Sequence, residues 1–110
     1  LDFGSIEKAV DEMKRVLKPN GKLLLVVRSN EDYRFNKKYE IEGEKNTIII
    51  SEDDETKCAH SENGMLMHFF EEEELRSLFC DLREIKIDRI TETHDNQKFC
   101  DCNYIVTAQK

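Results

Sequence analysis

Glycine and proline are scarce in this chain of 110 residues, which contains four glycines and one proline. The glycines, Gly4, Gly21, Gly43 and Gly64, lie far apart, so the sequence has no glycine-rich loop between a strand and a helix. No apolar run approaches the ~20 residues of a membrane-spanning helix, and no secretory signal sequence is visible. We therefore expect no membrane partner.

Positive charge is also in short supply. The 17 Lys and Arg are outnumbered by 24 Asp and Glu, which gives a formal net charge of −7. Basic residues are interspersed with acidic ones, whereas a nucleic-acid-binding surface needs clustered Lys and Arg to neutralise phosphates. We therefore expect no nucleic-acid partner, and the length is typical of one small domain.

Tight cysteine pairs are absent. No C-x-x-C pair occurs among the four cysteines, which are Cys58, Cys80, Cys100 and Cys102. Only Cys58 has a histidine, His60, close in sequence. Structural zinc sites normally have two tight ligand pairs, so we predict no metal site. The pattern favours reduced thiols in a cytoplasmic protein, with Cys80 packing as a small hydrophobic residue on a predicted helix.

A helix followed by an apolar strand is the clearest pattern present. Apolar residues recur at helical spacing on one face of a segment from about Ser5 to Leu17. The strand that follows, from Lys22 to Arg28, has an apolar centre without alternation, as in strands that are covered on both faces of a parallel sheet. We therefore predict an α/β unit with layers on both sides of the sheet.

The turn between these two elements has its own signature. Lys18 precedes a proline and is biased away from the helical region, Pro19 sets φ at the second turn position, and Asn20 tolerates φ > 0 at the third. The whole segment RVLKPNGKLLLVV, residues 15–27, resembles the RVLKPGG segment of class I S-adenosylmethionine-dependent methyltransferases. Asn20 stands where that family usually has glycine.

The resemblance continues towards the end of the chain. His68-Phe69-Phe70 and the acidic helix start after it are similar to the HFFTEEEL element of small methyltransferase domains, and residues 103–110 look like their last strand. The resemblance implies an α/β fold, namely the C-terminal half of a Rossmann-like methyltransferase sheet. Its elements would be a helix, a parallel strand, a β-hairpin insertion, a helix and an antiparallel strand pair, and residues 1–110 would be a partial methyltransferase domain.

The remaining elements follow from local patterns. We predict a helix from about Glu71 to Leu82, whose first turn carries acidic residues at the positive end of the helix dipole. Strands are predicted from Arg83 to Thr93 and from Cys102 to Ala108, joined by a polar loop at 94–98. The resemblance implies that the last strand lies between the other two.

A bulge is expected in the first strand of that pair. Ile85 and Ile87 alternate, but Ile90 is out of phase with them. An extra residue near Asp88-Arg89 would restore the phase, so we predict the bulge there.

Residues 29–67 form an insertion, or lid, far longer than the ~2–6 residues that usually connect elements of α/β units. The insertion leaves the carboxyl end of the first strand, where open α/β sheets bind ligands. We predict a hairpin within it, with strands at 38–42 and 46–51. Five of its apolar side chains either line a pocket or fix the hairpin to the sheet: Tyr33, Phe35, Tyr39, Met65 and Met67.

Four residues near that strand end are predicted to bind substrate. Arg28 and Asn30 lie at and just past the end of the strand, and His68 and Phe69 belong to the HFF element. An imidazole, with an ordinary pKa near ~6.5, suits a general base or a group that orients the acceptor. A histidine just before a helix equally serves as a capping or packing residue.

The resemblance implies the C-terminal part of a methyltransferase that transfers the methyl group of S-adenosylmethionine to a nucleophilic acceptor of unknown identity. This part would contribute acceptor recognition and sheet closure, with no cofactor-binding residue in this chain, which alone would be inactive. The alternative is a non-catalytic interaction module. With half a sheet, we also expect self-association through the Lys22–Arg28 strand edge or an uncovered sheet face.

Overall fold

The computed structural model describes residues 3–35, 37–50 and 64–110. Its elements, in chain order, are helix α1 (Phe3–Val16), strand β1 (Lys22–Arg28), a 3-10 turn (Lys37–Tyr39), strands β2 (Thr47–Ile49) and β3 (Leu66–His68), helix α2 (Glu72–Leu78), and strands β4 (Arg83–His94) and β5 (Phe99–Gln109). The fold is therefore mixed α/β. The first helix and strand follow the predicted bounds closely, whereas α2 ends four residues before Leu82.

The turn from α1 to β1 has the predicted geometry. The N–H of Gly21 donates to the carbonyl of Lys18 at 2.7 Å, and Asn20 has φ of 66°. Pro19 and Asn20 are thus the central residues of a turn that requires φ > 0 at its third position. A Cβ at Gly21 would lie 2.8 Å from the Lys18 carbonyl oxygen, so the close approach of the backbone requires glycine there.

The main sheet has three strands in the order β1-β5-β4, and both pairings are antiparallel. The last strand therefore lies between the other two, as the resemblance implies. The prediction of a parallel β1 is not met within the described residues, where parallel pairing is limited to one bridge between Ser29 and Phe70. The opposite edge of β1 has no partner strand in the described part of the chain, because β2 and β3 form a separate two-stranded sheet.

Both helices pack on the same face of the main sheet. The core joins side chains of α1 and α2 to those of β5, with the inward residues of β1 packed against them: Ile6, Val10, Leu75, Phe79, Tyr104, Val106, Ala108, Leu23, Leu25 and Val27. On the other face, Leu24 and Val26 are 67% and 56% exposed. The described residues therefore do not cover β1 on both faces, contrary to the sequence-based expectation.

The bulge in β4 lies elsewhere than predicted. The register with β5 shifts between Arg83 and Lys86, where Glu84 has φ of 51°, and is regular from Lys86 to His94. The prediction at Asp88-Arg89 is wrong because Ile90 does not return to the core. It is 51% exposed and points to the face that carries no helix.

The insertion has its own small core. Thr47–Ile49 pairs with Leu66–His68, whereas the predicted first strand at 38–42 is reduced to a 3-10 turn and one bridge between Glu40 and Ile48. The predicted hairpin is thus present only as this antiparallel bridge, and the apolar strand pairs over its full length with residues just before α2. Ile48, Ile50 and Phe69 are buried together, with Phe35, Tyr39 and Met67 packed against them.

The cysteines are distributed over different environments. Cys80 lies in the turn after α2 and is exposed, so the prediction that it packs as a hydrophobic residue is wrong. Cys102 is buried and Cys100 is half-buried, while Cys58 lies outside the described residues. Among the residues described, no helix has both the length and the apolar character needed to cross a membrane.

Candidate functional site

An apolar cavity of about 380 Å³ lies beside the carboxyl half of β1, between α1, β3 and α2. Its walls are formed mainly by aliphatic and methionine side chains: Ile6, Ala9, Val10, Met13, Leu25, Val27, Met65, Leu66, Met67, Phe70, Leu75, Leu78 and Phe79. Arg28 and His68 are the two ionisable residues in its lining. The volume and apolar lining are in the range of small-molecule sites.

Arg28 and Asn30, two of the predicted substrate-binding residues, lie together at the end of β1. The carbonyl of Arg28 accepts the N–H of Phe70 at 2.7 Å, and the N–H of Asn30 donates to the carbonyl of Phe70 at 3.0 Å. The Arg28 guanidinium lies 3.6 Å from the carboxylate of Asp32. These contacts bring the residues before α2 alongside the carboxyl end of β1.

The loop that follows β1 is held by the buried carboxylate of Asp32. Its oxygens accept the N–H groups of Arg34 and Cys102, each at 3.0 Å, and also the Arg34 guanidinium at 3.1 Å. The side chain of Asp32 is fully buried, so these charged and neutral donors replace its hydration. The carboxylate thereby ties the loop to the central strand β5.

Every backbone N–H from Ser29 to Phe35 is already hydrogen-bonded inside the chain. The acceptors are the carbonyls of Cys102, Phe70, Ser29, Cys100 and Asp32 together with the side chains of Ser29 and Asp32. A loop that cradles a phosphate or a nucleotide must direct N–H groups at its ligand. This loop therefore does not form such a cradle.

His68 is nearly buried and has a partner on each ring nitrogen. Nδ1 lies 2.7 Å from the hydroxyl of Thr47, and Nε2 lies 2.9 Å from the carboxylate of Glu74. Because an ionised carboxylate only accepts, Nε2 carries a proton, and in the neutral ring Nδ1 accepts the Thr47 hydroxyl proton. A lone pair for general-base chemistry would become available only if the fully buried Thr47 moved away. This geometry supports a structural role for His68 in fixing the insertion to α2.

Phe69 points away from the cavity. Its side chain is fully buried in the core of the insertion, with its ring centroid 5.4 Å from that of Phe35. The structure therefore brings Arg28, Asn30 and His68 to one region but separates Phe69 from them. Among the apolar candidates of the insertion, Met65 and Met67 line the cavity. Tyr33 instead contacts the rings of His94 and Phe99, and Tyr39 packs with the insertion core.

Glu71 connects three segments at the mouth of the site. Its Oε1 accepts the side-chain amides of Asn46 at 3.1 Å and Asn30 at 3.3 Å, and Lys45 lies 3.6 Å away. The hydrogen bond from Asn46 is the main reason that the pKa of Glu71 lies below its ordinary value, with Lys45 and His68 adding to the effect. Asn30 is therefore held by the residue that precedes α2.

Sequence reasoning did not identify four residues that hold this region together, namely Asp32, Thr47, Glu71 and Glu74. Local sequence patterns assign the acidic run 71–74 only to the start of a helix, whereas Glu71 accepts a hydrogen bond from Asn46 and Glu74 accepts one from His68. A local signal exists for Asp32, since its side chain bonds the N–H two residues on, as Asp does in Asx turns. The partners of Thr47 and Glu71 are more than 20 residues away in sequence, and Glu74 meets His68 only because strand β3 turns directly into α2.

The thiol of Cys100 lies near this network. Burial raises the pKa of the Cys100 thiol above its ordinary value, and the neighbouring side chains of Cys102, Asp32, Asp101 and Glu31 raise that pKa further. A protonated thiol is a poor nucleophile and a poor metal ligand. In the described ranges, no three His, Cys, Asp or Glu side chains form a group able to hold a metal ion.

Comparison with solved structures identifies a crystal structure of a SAM-dependent methyltransferase from Methanosarcina mazei. The TM-score is 0.57 and the sequence identity 25%, with 94% of this chain covered. The chain spans 50% of the length of that protein. No protein-family model and no curated protein matches the sequence. The described part of the chain thus has a methyltransferase-like fold.

Proposed function

We propose that this chain is the C-terminal, acceptor-binding part of an S-adenosylmethionine-dependent methyltransferase domain. The observation that carries the proposal is the likeness of 94% of the chain to about half of a SAM-dependent methyltransferase. The order of helix, turn, strand and closing strand pair, and the segments quoted above, agree with it. S-adenosylmethionine would supply the methyl group to the acceptor.

The cavity beside β1 is the proposed acceptor site. It lies at the carboxyl end of β1, the edge at which open α/β sheets bind their ligands. Its lining favours an acceptor with an apolar body, because Met13, Met65 and Met67 offer flexible, polarisable contacts. Arg28 and Asn30 would bind or orient polar groups of that acceptor at the mouth.

The cofactor would be held by residues outside this chain. Two observations support this part of the proposal. The four glycines are isolated in sequence, and the loop Ser29–Phe35 uses all of its N–H groups internally. The described residues therefore contribute acceptor recognition and sheet closure, not cofactor binding.

Calorimetry with S-adenosylmethionine tests the proposal in two samples. The first is this 110-residue chain, for which we expect no binding tighter than about 10 μM, or roughly −7 kcal/mol. The second is the full-length natural protein that contains these residues, for which we expect S-adenosylmethionine to bind with a micromolar dissociation constant. Tight binding in the first sample would contradict the assignment of the cofactor site elsewhere.

The same experiment separates the enzyme from a non-catalytic interaction module. That alternative is favoured by one observation, the exposed apolar face of the sheet at Leu24 and Val26. If the chain belongs to a non-catalytic module, the full-length protein will show no measurable affinity for S-adenosylmethionine. In that case the methyltransferase proposal fails, whatever surface the module uses.

A further inference from the structure

We infer that Asn20 is a site of spontaneous deamidation and that Arg83 holds this reaction back in the folded chain, independently of any methyl transfer. Asn20 directly precedes Gly21, and it stands where the family of the resemblance usually has glycine. Asparagine is among the thermolabile residues of proteins. A following glycine favours the reaction, because it has no side chain that shields its own N–H.

The reaction joins two atoms that are close along the chain. The amide nitrogen of Gly21 gives up its proton and attacks Cγ of Asn20. As this N–Cγ bond forms, the bond from Cγ to Nδ2 breaks, and Nδ2 leaves as ammonia with the proton that Gly21 gave up. Water then opens the succinimide ring at either carbonyl, which gives aspartate or isoaspartate at position 20. Water is the only co-reactant.

The folded turn occupies the attacking nitrogen. The N–H of Gly21 donates to the carbonyl of Lys18 at 2.7 Å, and Asn20 is held at φ of 66°. Ring closure requires this hydrogen bond to break, because the attacking nitrogen must give up the same proton. Asn20 itself is exposed, so water reaches it freely. The protection therefore comes from the conformation of the turn and not from burial.

Arg83 fixes the turn from the neighbouring end of β4. Its guanidinium donates to Oδ1 of Asn20 at 2.7 Å and to the main-chain oxygen of Lys110 at 2.8 Å. That oxygen also accepts the N–H of Asn20 at 3.2 Å, and the N–H of Lys110 donates to the carbonyl of Gly21 at 2.9 Å. The side-chain amide of Gln109 donates to the Asn20 carbonyl at 3.1 Å. Arg83 thus holds both the side chain that must move towards Gly21 and the segment that fixes the backbone of the turn.

The two products should differ in their effect on the fold. Asn20→Asp is identical to the aspartate product, and it keeps an acceptor for Arg83 and tolerates φ > 0. Isoaspartate instead adds a methylene to the backbone of a turn that closes tightly between Lys18 and Gly21. Urea unfolding should therefore give the isoaspartate chain, separated by chromatography, a lower midpoint than Asn20→Asp. Equal midpoints would contradict this consequence.

Peptide mapping by mass spectrometry during incubation at mildly alkaline pH tests the inference. Asn63, which lies outside the described residues, also precedes a glycine and is the internal reference. In concentrated urea the two asparagines should deamidate at similar rates. Without urea, Asn20 should react at least about tenfold more slowly than in urea, because the turn must first open. A lack of deamidation at Asn20 in urea, or equal rates with and without urea, overturns the inference.

A variant of the arginine tests its role. Arg83→Gln should accelerate deamidation of Asn20 in the absence of urea about two- to tenfold, because it removes two hydrogen bonds from the turn. Arg89→Gln breaks a surface ion pair with Glu31 on the same strand, and this matched control should leave the rate unchanged. The acceleration should not depend on low concentrations of urea, since opening of one turn exposes little surface. An unchanged rate in Arg83→Gln, or a rate that rises steeply with urea as in global unfolding, overturns the assignment of Arg83.

Discussion

Nε2 of His68 lies 2.9 Å from the carboxylate of Glu74, six residues along the chain, and this contact joins the insertion to the first turn of α2. The imidazole is almost inaccessible, and its ring packs edge-on against Phe70 with centroids 4.7 Å apart. A motif residue that suggests acid–base chemistry is therefore held by its neighbours as a structural connector.

Removal of the Glu74 carboxylate should be costly. Glu74→Ala leaves the buried Nε2–H of His68 without an acceptor, which destabilises a protein by about 1–3 kcal/mol. Urea unfolding at neutral pH measures the change. Glu73→Ala removes an exposed carboxylate from the same helical turn and serves as the control, with an expected change below about 0.5 kcal/mol. Equal losses in the two variants would show that only the helix dipole is involved.

Asp32 should be among the least replaceable residues on the chain. Asp32→Ala leaves the N–H of Cys102 without its acceptor and removes a carboxylate 3.1 Å from the largely buried Arg34 guanidinium, at an expected cost of about 3–5 kcal/mol. Asp32→Asn keeps one acceptor oxygen, so its free energy of unfolding should fall by less. This variant can still be measured if the alanine variant does not fold. Thermal or denaturant unfolding detects both effects.

The neighbouring acid provides a control for Asp32. Glu31 is exposed and pairs with Arg89 at the surface, so Glu31→Ala should change the free energy of unfolding by no more than about 1 kcal/mol. If Asp32→Ala were as mild as Glu31→Ala, the buried carboxylate would not be the group that fixes the loop to β5.

Glu71 should make stability depend on pH in the acid range. Its pKa is lowered in the folded chain, chiefly by the Asn46 hydrogen bond, so the ionised carboxylate stabilises the fold above the ordinary pKa of about 4.3. This contribution is lost as the pH falls through the lowered pKa. The stability difference between the native chain and Glu71→Gln should therefore be largest near pH 6–7 and shrink as the pH falls below about 4.3 and through the lowered pKa. A stability difference that is independent of pH would contradict this role of the ionised Glu71 carboxylate.

Cys100 should react slowly with alkylating reagents. Burial, followed by the nearby negative charges, raises its thiol pKa, so little thiolate forms at about pH 8. In a Cys58→Ser background, mass spectrometry after iodoacetamide treatment should find Cys80, which is exposed, modified well before Cys100. Equal rates at the two sites would mean that β5 opens locally on the time scale of the reaction.

Local sequence patterns determined the elements of this protein well. The helical spacing from Ile6 to Leu17 and the Pro19-Asn20 pair predict α1, the turn and β1 because each depends on interactions within a few residues. The strand at Arg83 and the hairpin loop before Phe99 are predictable for the same reason. The position of β5 between β1 and β4 came from the family resemblance, not from any local pattern.

Only the tertiary structure decided how the elements meet. Hydrophobic periodicity and secondary-structure propensity do not specify that the Thr47 hydroxyl bonds His68, 21 residues away. They also do not specify that Asp32 accepts the N–H of Cys102, 70 residues away. The same holds for Phe69, which faces the insertion core, and for the placement of both helices on one face of the sheet. Hydrogen-bond partners and buried faces are selected by packing among distant segments, because each buried polar group needs a partner and each apolar face needs a cover.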